Sequence, residues 1–509
     1  MSLYAIGIGG TGAKCLEALT QVASVGLLNQ SNQQVIHTLF VDADETNGSL
    51  ERSRSTMRQY QQCYDLFEKG RSNWPWMNAR LRPLGLWSPL NRVTTDKKLG
   101  SLFGYDTLKQ TSPEMGSLFE VLFTSEEREA DLEVGFRGRP AIGSAVMSQI
   151  DLDSLDEEVW RQFIERIRQD AGGGRIPKIV LFGSIFGGTG ASGLPTIGRL
   201  LHEKLMAENL RSRVSLACVF ALPYFNFTPD AGMDKDEVYA RSDQFLLNTE
   251  AALRYYLSQA QTFNTVYVLG DHNTTEVSFS LGKQTQRNPP HFIELYAALA
   301  ARHLCLDQAG DGSTQVALVS RQNINRLDWR DLPDSAETKS LLGTTARFAY
   351  VWLANIAPEL NQAKQMGIKS FQSSAPWFSQ FFQSTSLFGR RTSVSGDEFA
   401  DFNDPQEQKS LSILTEWCLD YLRWLSDISR CGDEIINLFK PDCLVQAKGT
   451  ETIPDELSAL VIGVEVDRSK RTSDSIPLLK QRLDDPDLAS WCGRGMVGLA
   501  RAIYTLCQI

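Results

Sequence analysis

Two glycine-rich segments, far apart in the chain, have the clearest chemical meaning in this sequence. Residues 7–12 read Gly-Ile-Gly-Gly-Thr-Gly, and residues 186–193 read Phe-Gly-Gly-Thr-Gly-Ala-Ser-Gly. Glycines let backbone N–H groups approach a phosphate closely, and the N-terminus of a following helix adds partial positive charge. The hydroxyls of Thr189 and Ser192 are further hydrogen-bond donors. Both segments therefore indicate phosphate binding.

The first segment alone has several interpretations. It fits the G-x-G-x-x-G spacing of a dinucleotide-binding turn, and also a tight turn that binds nothing. Two such segments favour a di- or triphosphate held from two sides. The predicted phosphate-contacting residues are Gly9, Gly10, Thr11, Gly12, Gly187, Gly188, Thr189 and Gly190.

Predicted strands and helices, which must position these loops, alternate along residues 1 to about 330. Strands are predicted at Tyr4–Ile8, Val35–Val41, Lys178–Phe182, Val214–Leu222 and Thr265–Leu269. Helices are predicted at Ala13–Ser24, Leu152–Gln169, Gly193–Glu208, Ser242–Ala260 and Pro289–Leu304. This alternation predicts an α/β fold, in which helices cover a parallel sheet.

Two regions depart from the alternation. Residues 48–134 are rich in Arg, Trp, Ser and Pro and are interpreted as an irregular, surface-facing insertion. After about Pro333 we expect a smaller α+β domain. Its predicted strands are Thr345–Asn355 and Ala459–Val466, and its predicted helices are Gln408–Ser429 and Leu488–Leu506.

Composition excludes several classes of protein. The 51 Lys and Arg against 61 Asp and Glu give a net charge of −10, which argues against a general nucleic-acid or membrane-surface binder. No apolar stretch approaches the roughly 20 residues of a membrane span. Nine dispersed cysteines without a C-x-x-C pair, and no secretory signal, indicate a reduced cytoplasmic protein. Five histidines without an H-x-x-x-H pattern argue against a zinc enzyme.

Taken together, the two glycine segments resemble the phosphate loops of the tubulin/FtsZ superfamily of filament-forming GTPases. Residues 9–12 resemble its first phosphate loop, and residues 187–190 resemble its G-G-G-T-G-[ST]-G signature, with Pro195 placed as in the bacterial division proteins. Phe186 replaces the first signature glycine, which puts the detailed shape of that loop in doubt.

Other loops follow in the family's order. Asp42-Ala43-Asp44 resembles the loop after the second strand. Residues 135–143 resemble the loop that senses the terminal phosphate and include Gly138, with Arg139 in place of the usual Asn. Residues 223–227, which begin at Pro223, resemble the P-F-x-F turn near the ribose. Residues 325–331 resemble the loop that carries the catalytic acids.

The resemblance implies a division of the chain and an activity. The implied division is a nucleotide-binding domain over 1–287, a long central helix with the acidic loop over 288–332, and a C-terminal domain over 333–509. The implied ligands are GTP or GDP with Mg²⁺, for which Asp42 and Asp44 are candidate ligands. The implied catalytic residues are Asp328 and Asp331, which complete the site of the next copy in a head-to-tail filament.

Residue chemistry leaves alternatives at three places. Asp328 and Asp331 are three apart and suit catalysis, but Asp is also a favoured helix cap. Arg137 or Arg139 is a candidate contact for the terminal phosphate, or the two are a solvated surface pair. The resemblance implies a base-contacting Asn on the central helix, for which Asn288, just before the predicted helix, is the candidate. Phe292 or Tyr296 would stack on a purine unless they belong to the core.

Two other functions compete with a filament-forming GTPase. One is a nucleotide-binding switch or scaffold without productive hydrolysis, which would act through partner proteins bound to the insertion or the C-terminal domain. The other is a Rossmann oxidoreductase that uses residues 7–12, with Asp42 on a ribose. The second glycine segment, and the lack of a recognisable His/Tyr/Lys constellation, argue against the oxidoreductase.

Overall fold

The computed structural model divides the chain into two compact units. The first unit comprises Met1–Val22, Leu28–Met57 and Ala79–Ser320, and the second comprises Ala23–Leu27, Arg58–Asn78 and Arg321–Ile509. The structure describes residues 2–28, 34–68, 74–94, 96–228, 241–257, 262–271, 274–278, 287–306, 314–318, 326–383, 399–431, 435–440, 457, 460–464 and 475–509.

A seven-stranded sheet forms the centre of the first unit. Its strands run in the order β3-β2-β1-β4-β5-β7-β9, and every neighbouring pair is parallel. The strands are β1 Ser2–Ile8, β2 Val35–Val41, β3 Arg80–Trp87, β4 Lys178–Ser184, β5 Ser215–Ala221, β7 Thr265–Leu269 and β9 Gln315–Leu318. A separate parallel pair joins β6 Phe225–Thr228 to β8 Thr275–Ser278. The prediction of an α/β fold with a parallel sheet is confirmed.

The longer helices of the first unit bury an apolar face. In α8 (Glu158–Gly172), the side chains of Trp160, Phe163, Ile164 and Ile167 follow a helical period and are buried. The helices of this part of the chain are α1 Gly9–Ser24, α2 Gly48–Leu66, α3 Leu99–Leu102, α4 Tyr105–Thr111, α5 Pro113–Leu122, α6 Ser125–Glu129, α7 Pro140–Met147, α8, α9 Gly188–Ala207, α10 Phe245–Leu257 and α11 Phe292–Leu306. Short 3₁₀ turns occur at Leu132–Val134, Leu152–Asp156, Arg211–Arg213 and Ser242–Gln244.

Residues 48–134 differ from the irregular insertion that we expected. They begin with the nineteen-residue helix α2 and supply β3, which pairs along the whole of β2. As an edge strand, β3 tolerates Pro83, and its register shifts between Thr38 and Leu39 of β2. These features interrupt the apolar run by which a strand is recognised in the sequence.

The described residues of the second unit are mostly helical. Its helices are α12 Ser335–Val351, α13 Ala357–Met366, α14 Ile368–Ser374, α15 Phe378–Phe381, α16 Pro405–Ile428, α17 Ile476–Leu483, α18 Pro486–Cys492 and α19 Gly495–Leu506, with a π-helical turn at Trp352–Ile356 and a 3₁₀ turn at Trp329–Asp331. One short parallel pair joins β10 Arg326–Asp328 to β11 Ile435–Asn437. The core contains Trp76, which stacks on Tyr504 and meets Phe348 and Trp417 edge-on.

The secondary structure predicted for the second unit is partly wrong. Thr345–Asn355 is not a strand, because its apolar run lies in α12 and the following π-helical turn. The helix predicted at Gln408–Ser429 is confirmed as α16. Gly493, which has φ +92°, separates α18 from α19 where a single helix was predicted. Of the strand predicted at Ala459–Val466, the structure describes only residues 460–464, where Val461 forms an isolated bridge with Phe439.

Candidate functional site

A pocket of about 940 Å³, counted out to its open mouth, lies in the first unit. It is at the carboxyl edge of the parallel sheet, where ligands of open α/β sheets bind, and its volume is typical of a small-molecule site. The predicted site residues that line it are Gly9, Gly10, Thr11, Asp42, Asp44, Gly138, Gly187, Gly188, Thr189, Gly190 and Asn288. Gly12, Arg139 and Pro223 do not line it.

The first glycine segment connects β1 directly to α1. Gly9 has φ +72°, which suits glycine, and α1 begins at this residue. A Cβ on Gly10 would have room, since its nearest neighbour would be the Asn47 side chain at 3.6 Å. The prediction that Gly12 contacts the ligand is not supported. A Cβ on Gly12 would lie 2.6 Å from the Gly7 carbonyl carbon and 2.6 Å from the Phe182 carbonyl oxygen, so Gly12 lets α1 pack closely on the sheet.

The second glycine segment meets the first at the pocket. A Cβ on Gly9 would lie only 3.2 Å from Cβ of Thr189, and α9 begins at Gly188. Two helix N-termini therefore open on the same cavity. Each presents backbone N–H groups that are free of intrahelical partners, together with the positive end of a helix dipole.

Two buried carboxylates complete this part of the wall. Asp42 and Asp44 follow β2 and are 3% and 2% exposed. Burial, and then the charge of Asp44, raise the pKa of Asp42 to about 7, although backbone N–H groups and the Thr189 hydroxyl donate to it and oppose that rise. Asp42 Oδ1 accepts from the Asp44 amide at 3.2 Å. A cation beside this pair would favour the ionised form of Asp42.

The segment 134–139, which we call the arginine loop, contains two arginines with different contacts. Arg137 lines the pocket and has a left-handed backbone, with φ 47°. Arg139 instead donates from Nη1 to Gln244 Oε1 at 3.1 Å and pairs with Glu127 at 3.8 Å. The placement of Arg139 as a ligand-binding residue is therefore not supported, whereas Arg137 is in position to meet an anion.

Asn288 is held in the wall of the pocket by two cations. Arg52 Nη1 donates to the Asn288 carbonyl oxygen at 2.8 Å, and Lys14 Nζ donates to the Pro289 carbonyl oxygen at 3.2 Å. Both cations are themselves paired inside the protein. Arg52 binds Glu17 at 2.7 Å, and Lys14 binds Glu294 of α11 at 2.5 Å. These pairs fix the start of α11 against α1 and α2.

Aromatic side chains line the pocket beside the second glycine segment. Phe186, Phe225, Phe227 and Phe245 all line it, with Phe186 at 5.3 Å from Phe225 and 4.8 Å from Phe245 between ring centroids. Phe186, which stands where the family signature has a glycine, is therefore part of this aromatic wall. Phe292 and Tyr296, the predicted stacking residues, are 1% and 2% exposed and do not line the pocket.

The acidic turn (Asp328–Asp331), in the second unit, is organised by its own hydrogen bonds. Asp328 accepts from the Arg330 amide at 2.8 Å and pairs with the Arg330 guanidinium. Asp331 Oδ2 accepts from the Asp328 amide at 2.8 Å, which completes a capping box. Both residues are half-buried at the surface of their unit. They therefore make the local caps that sequence reasoning kept as an alternative to catalysis.

Several residues of the pocket were not predicted. Lys14, Asn47, Ser49, Ser184 and Phe245 line it, as do Phe225 and Phe227 of a quoted turn. The position of Lys14, two residues after a glycine segment that opens a helix, was an available signal. The sequence contains no such signal for Phe245, because this residue begins a helix whose position beside the sheet depends on tertiary packing.

Comparison with known proteins adds no family assignment. No protein-family model matches the chain, and no curated protein matches it. Among the helices of the described residues, none combines the length and the apolar character that crossing a bilayer requires.

Proposed function

We propose that this chain is a nucleoside-triphosphate-binding protein of the tubulin/FtsZ type that takes GTP with Mg²⁺. The observation that carries the proposal is the meeting of two glycine segments, each opening a helix, around one pocket that Arg137 and Asn288 also line. A dinucleotide-binding turn would account for only one of these segments.

The phosphates would be held by backbone N–H groups of Gly9–Thr11 and Gly187–Gly190. Arg137 would supply a guanidinium for the terminal phosphate. The carboxylate pair fits a hard cation, which prefers oxygen ligands. Asp42 and Asp44 would hold Mg²⁺ together with phosphate oxygens, and the ion would neutralise phosphate charge. Among the described residues no group of three or more acidic, His or Cys side chains is arranged for a metal. In this proposal phosphate oxygens and water would supply the remaining ligands.

The base would lie along the aromatic wall, with Asn288 at its edge. Phenyl rings stack on any purine, and an amide both donates and accepts hydrogen bonds. The choice of guanine comes from the resemblance and not from these side chains, so a comparison of GTP with ATP belongs in the first experiment.

Hydrolysis would follow from head-to-tail assembly in the cytoplasm. In this proposal the acidic turn of one copy reaches the nucleotide of the next, and a carboxylate of Asp331 or Asp328 orients the attacking water to give GDP and phosphate. A head-to-tail interface that does not close produces a filament.

A second candidate function is a nucleotide-dependent switch without productive hydrolysis, acting through protein partners. The hydrogen bonds of the acidic turn favour it, because Asp328 and Asp331 already have local partners. The two functions share the pocket and differ in whether triphosphate is consumed.

Titration of the full chain with GTP, ATP and NAD⁺ in the presence of Mg²⁺ tests the binding proposal. We expect triphosphate binding that Gly10→Glu abolishes, because the new carboxylate enters the space beside the phosphates. Gly10→Ala is the matched control and should bind normally. Tight NAD⁺ binding, or no nucleotide binding by wild type, would overturn the proposal.

Sedimentation with GTP, a non-hydrolysable analogue and GDP separates the two functions. Pelleting only with triphosphate, accompanied by phosphate release, supports the filament-forming GTPase. A protein that binds GTP but stays monomeric and releases no phosphate supports the switch.

A further inference from the structure

Helix α10 contacts both phosphate loops through one side chain. Asn248 Nδ2 donates to the Phe186 carbonyl oxygen at 3.1 Å and to the Gly138 carbonyl oxygen at 3.5 Å. Phe186 is the first residue of the second glycine segment, and Gly138 immediately follows Arg137 in the arginine loop. A single amide group thus links two loops that are distant in sequence.

Two further contacts attach α10 and the 3₁₀ turn before it (Ser242–Gln244) to the same loops. Gln244 accepts from Arg139 at 3.1 Å, which holds the end of the arginine loop. The hydroxyl of Tyr256 donates to the Ala191 carbonyl oxygen at 2.7 Å, in the first turn of α9. Asn248 therefore bridges two loops that also pack directly on each other, since a Cβ on Gly188 would lie 2.7 Å from Cβ of Phe136.

The spacing between these two loops governs where Arg137 lies relative to the second set of backbone donors. If the Gly138 carbonyl shifts, the adjacent Arg137 shifts with it, while Gly187–Gly190 remain at the N-terminus of α9. The distance between a guanidinium and a set of amides decides whether one more phosphoryl group is bound between them.

We propose that Asn248 is a positioning residue that sets the spacing between the arginine loop and the second glycine segment, and thereby the preference for triphosphate over diphosphate. This inference rests on the proposed function, since it names a determinant of ligand choice at the same pocket. Asn248 acts through the two loops and not by touching the ligand.

The test measures the dissociation constants of GTP and GDP for wild type, Asn248→Ala and Asn248→Asp. Loss of one hydrogen-bonding group predicts that the preference for GTP falls about three- to tenfold in Asn248→Ala. Asn248→Asp should lower it further, because a carboxylate oxygen would face two carbonyl oxygens. Glu250→Gln is the control on the same helix; Glu250 pairs only with the exposed Arg254 in the described contacts, and the variant should keep the wild-type preference.

A second measurement separates this inference from the proposed function. Amide hydrogen exchange of the nucleotide-free protein should be faster at residues 134–139 and 187–190 in Asn248→Ala than in wild type or Glu250→Gln. An unchanged ratio of affinities with intact nucleotide binding overturns the inference alone. Wild type that binds neither nucleotide overturns the proposed function and the preference with it, and equal exchange rates then also reject the positioning role.

Discussion

The pocket of the first unit and the acidic turn of the second treat their carboxylates in opposite ways. Asp42 is buried beside another carboxylate, and its pKa is raised to about 7. Asp328 and Asp331 are half-buried and accept hydrogen bonds from backbone amides of their own turn. The pocket therefore disfavours the ionised form of Asp42, which a cation would stabilise, whereas the carboxylates of the turn already have hydrogen-bond donors of their own. The comparison teaches that burial raises the pKa of a carboxyl group in the pocket, whereas local hydrogen bonds stabilise the carboxylates of the turn.

Replacement of Asp331 tests the turn most strongly. If Asp331 acts on a neighbour's nucleotide, Asp331→Ala should slow phosphate release on the order of a hundredfold or more, the usual contribution of a general base. Nucleotide affinity should be unchanged. If Asp331 is only a cap, the variant loses about 1 kcal/mol of folding free energy and hydrolyses GTP as wild type does. Phosphate release and urea unfolding of the same preparation distinguish these outcomes.

Replacement of Gly12 tests the pocket's frame. Gly12→Ala should lower the free energy of unfolding by about 3 kcal/mol, because the new methyl group would meet backbone atoms that cannot move aside cheaply. Gly10→Ala should leave stability within about 0.5 kcal/mol of wild type, since there is room beside Gly10. Equal stability of both variants in urea unfolding would contradict the assignment of Gly12 to packing.

Replacement of Asp42 tests how its buried carboxyl group changes the stability of the protein with pH. The folded protein holds the Asp42 proton more tightly than the unfolded chain, so this group's stabilising contribution is complete below about pH 4 and is lost as the pH rises to about 7. Asp42→Asn should remove that loss, so its stability relative to wild type should rise by about 2 to 3 kcal/mol between pH 5 and pH 8. Urea unfolding at pH 5 and pH 8 measures the difference, and parallel pH profiles for the two proteins would refute it.

Replacement of Arg137 has the smallest expected effect. Arg137→Asn should weaken GTP binding about tenfold and GDP binding less, as expected for loss of one charged hydrogen-bonding group. Asn is chosen because it tolerates the left-handed backbone at this position. Arg139→Ala is the comparison variant and should bind GTP nearly as wild type does. A larger loss of affinity in Arg139→Ala would reverse the roles given to the two arginines.

The strands of the sheet could be predicted from the sequence more completely than the roles of the pocket residues. Val35–Val41 and Thr265–Leu269 were predicted at their observed bounds, because buried parallel strands are short apolar runs. The apolar run within Thr345–Asn355 was wrongly predicted as a strand because it is also short and continuous. A helix that is buried on all sides has no polar face from which its period can be recognised. The strand β3 was missed because Arg80, Arg82, Pro83 and Gly85 interrupt its apolar residues.

Among the site residues, spacing identified the glycine segments but not the role of each glycine. Gly10 and Gly12 look equivalent in the motif, yet only the packing of α1 against β1 and β4 shows that Gly12 faces backbone. The same limit applies to Arg137 and Arg139, whose directions depend on a left-handed residue and on Gln244, far along the chain. Contacts of this kind have no local signature.

The order of strands has a consequence for biosynthesis. Because β1 lies between β2 and β4, the first glycine segment meets the second only after residue 190 has been made, and Asn288 is added later still. A ribosome-bound nascent chain that ends before this point has no complete pocket to occupy. A ligand of this pocket would therefore assist folding only in the late stages of synthesis.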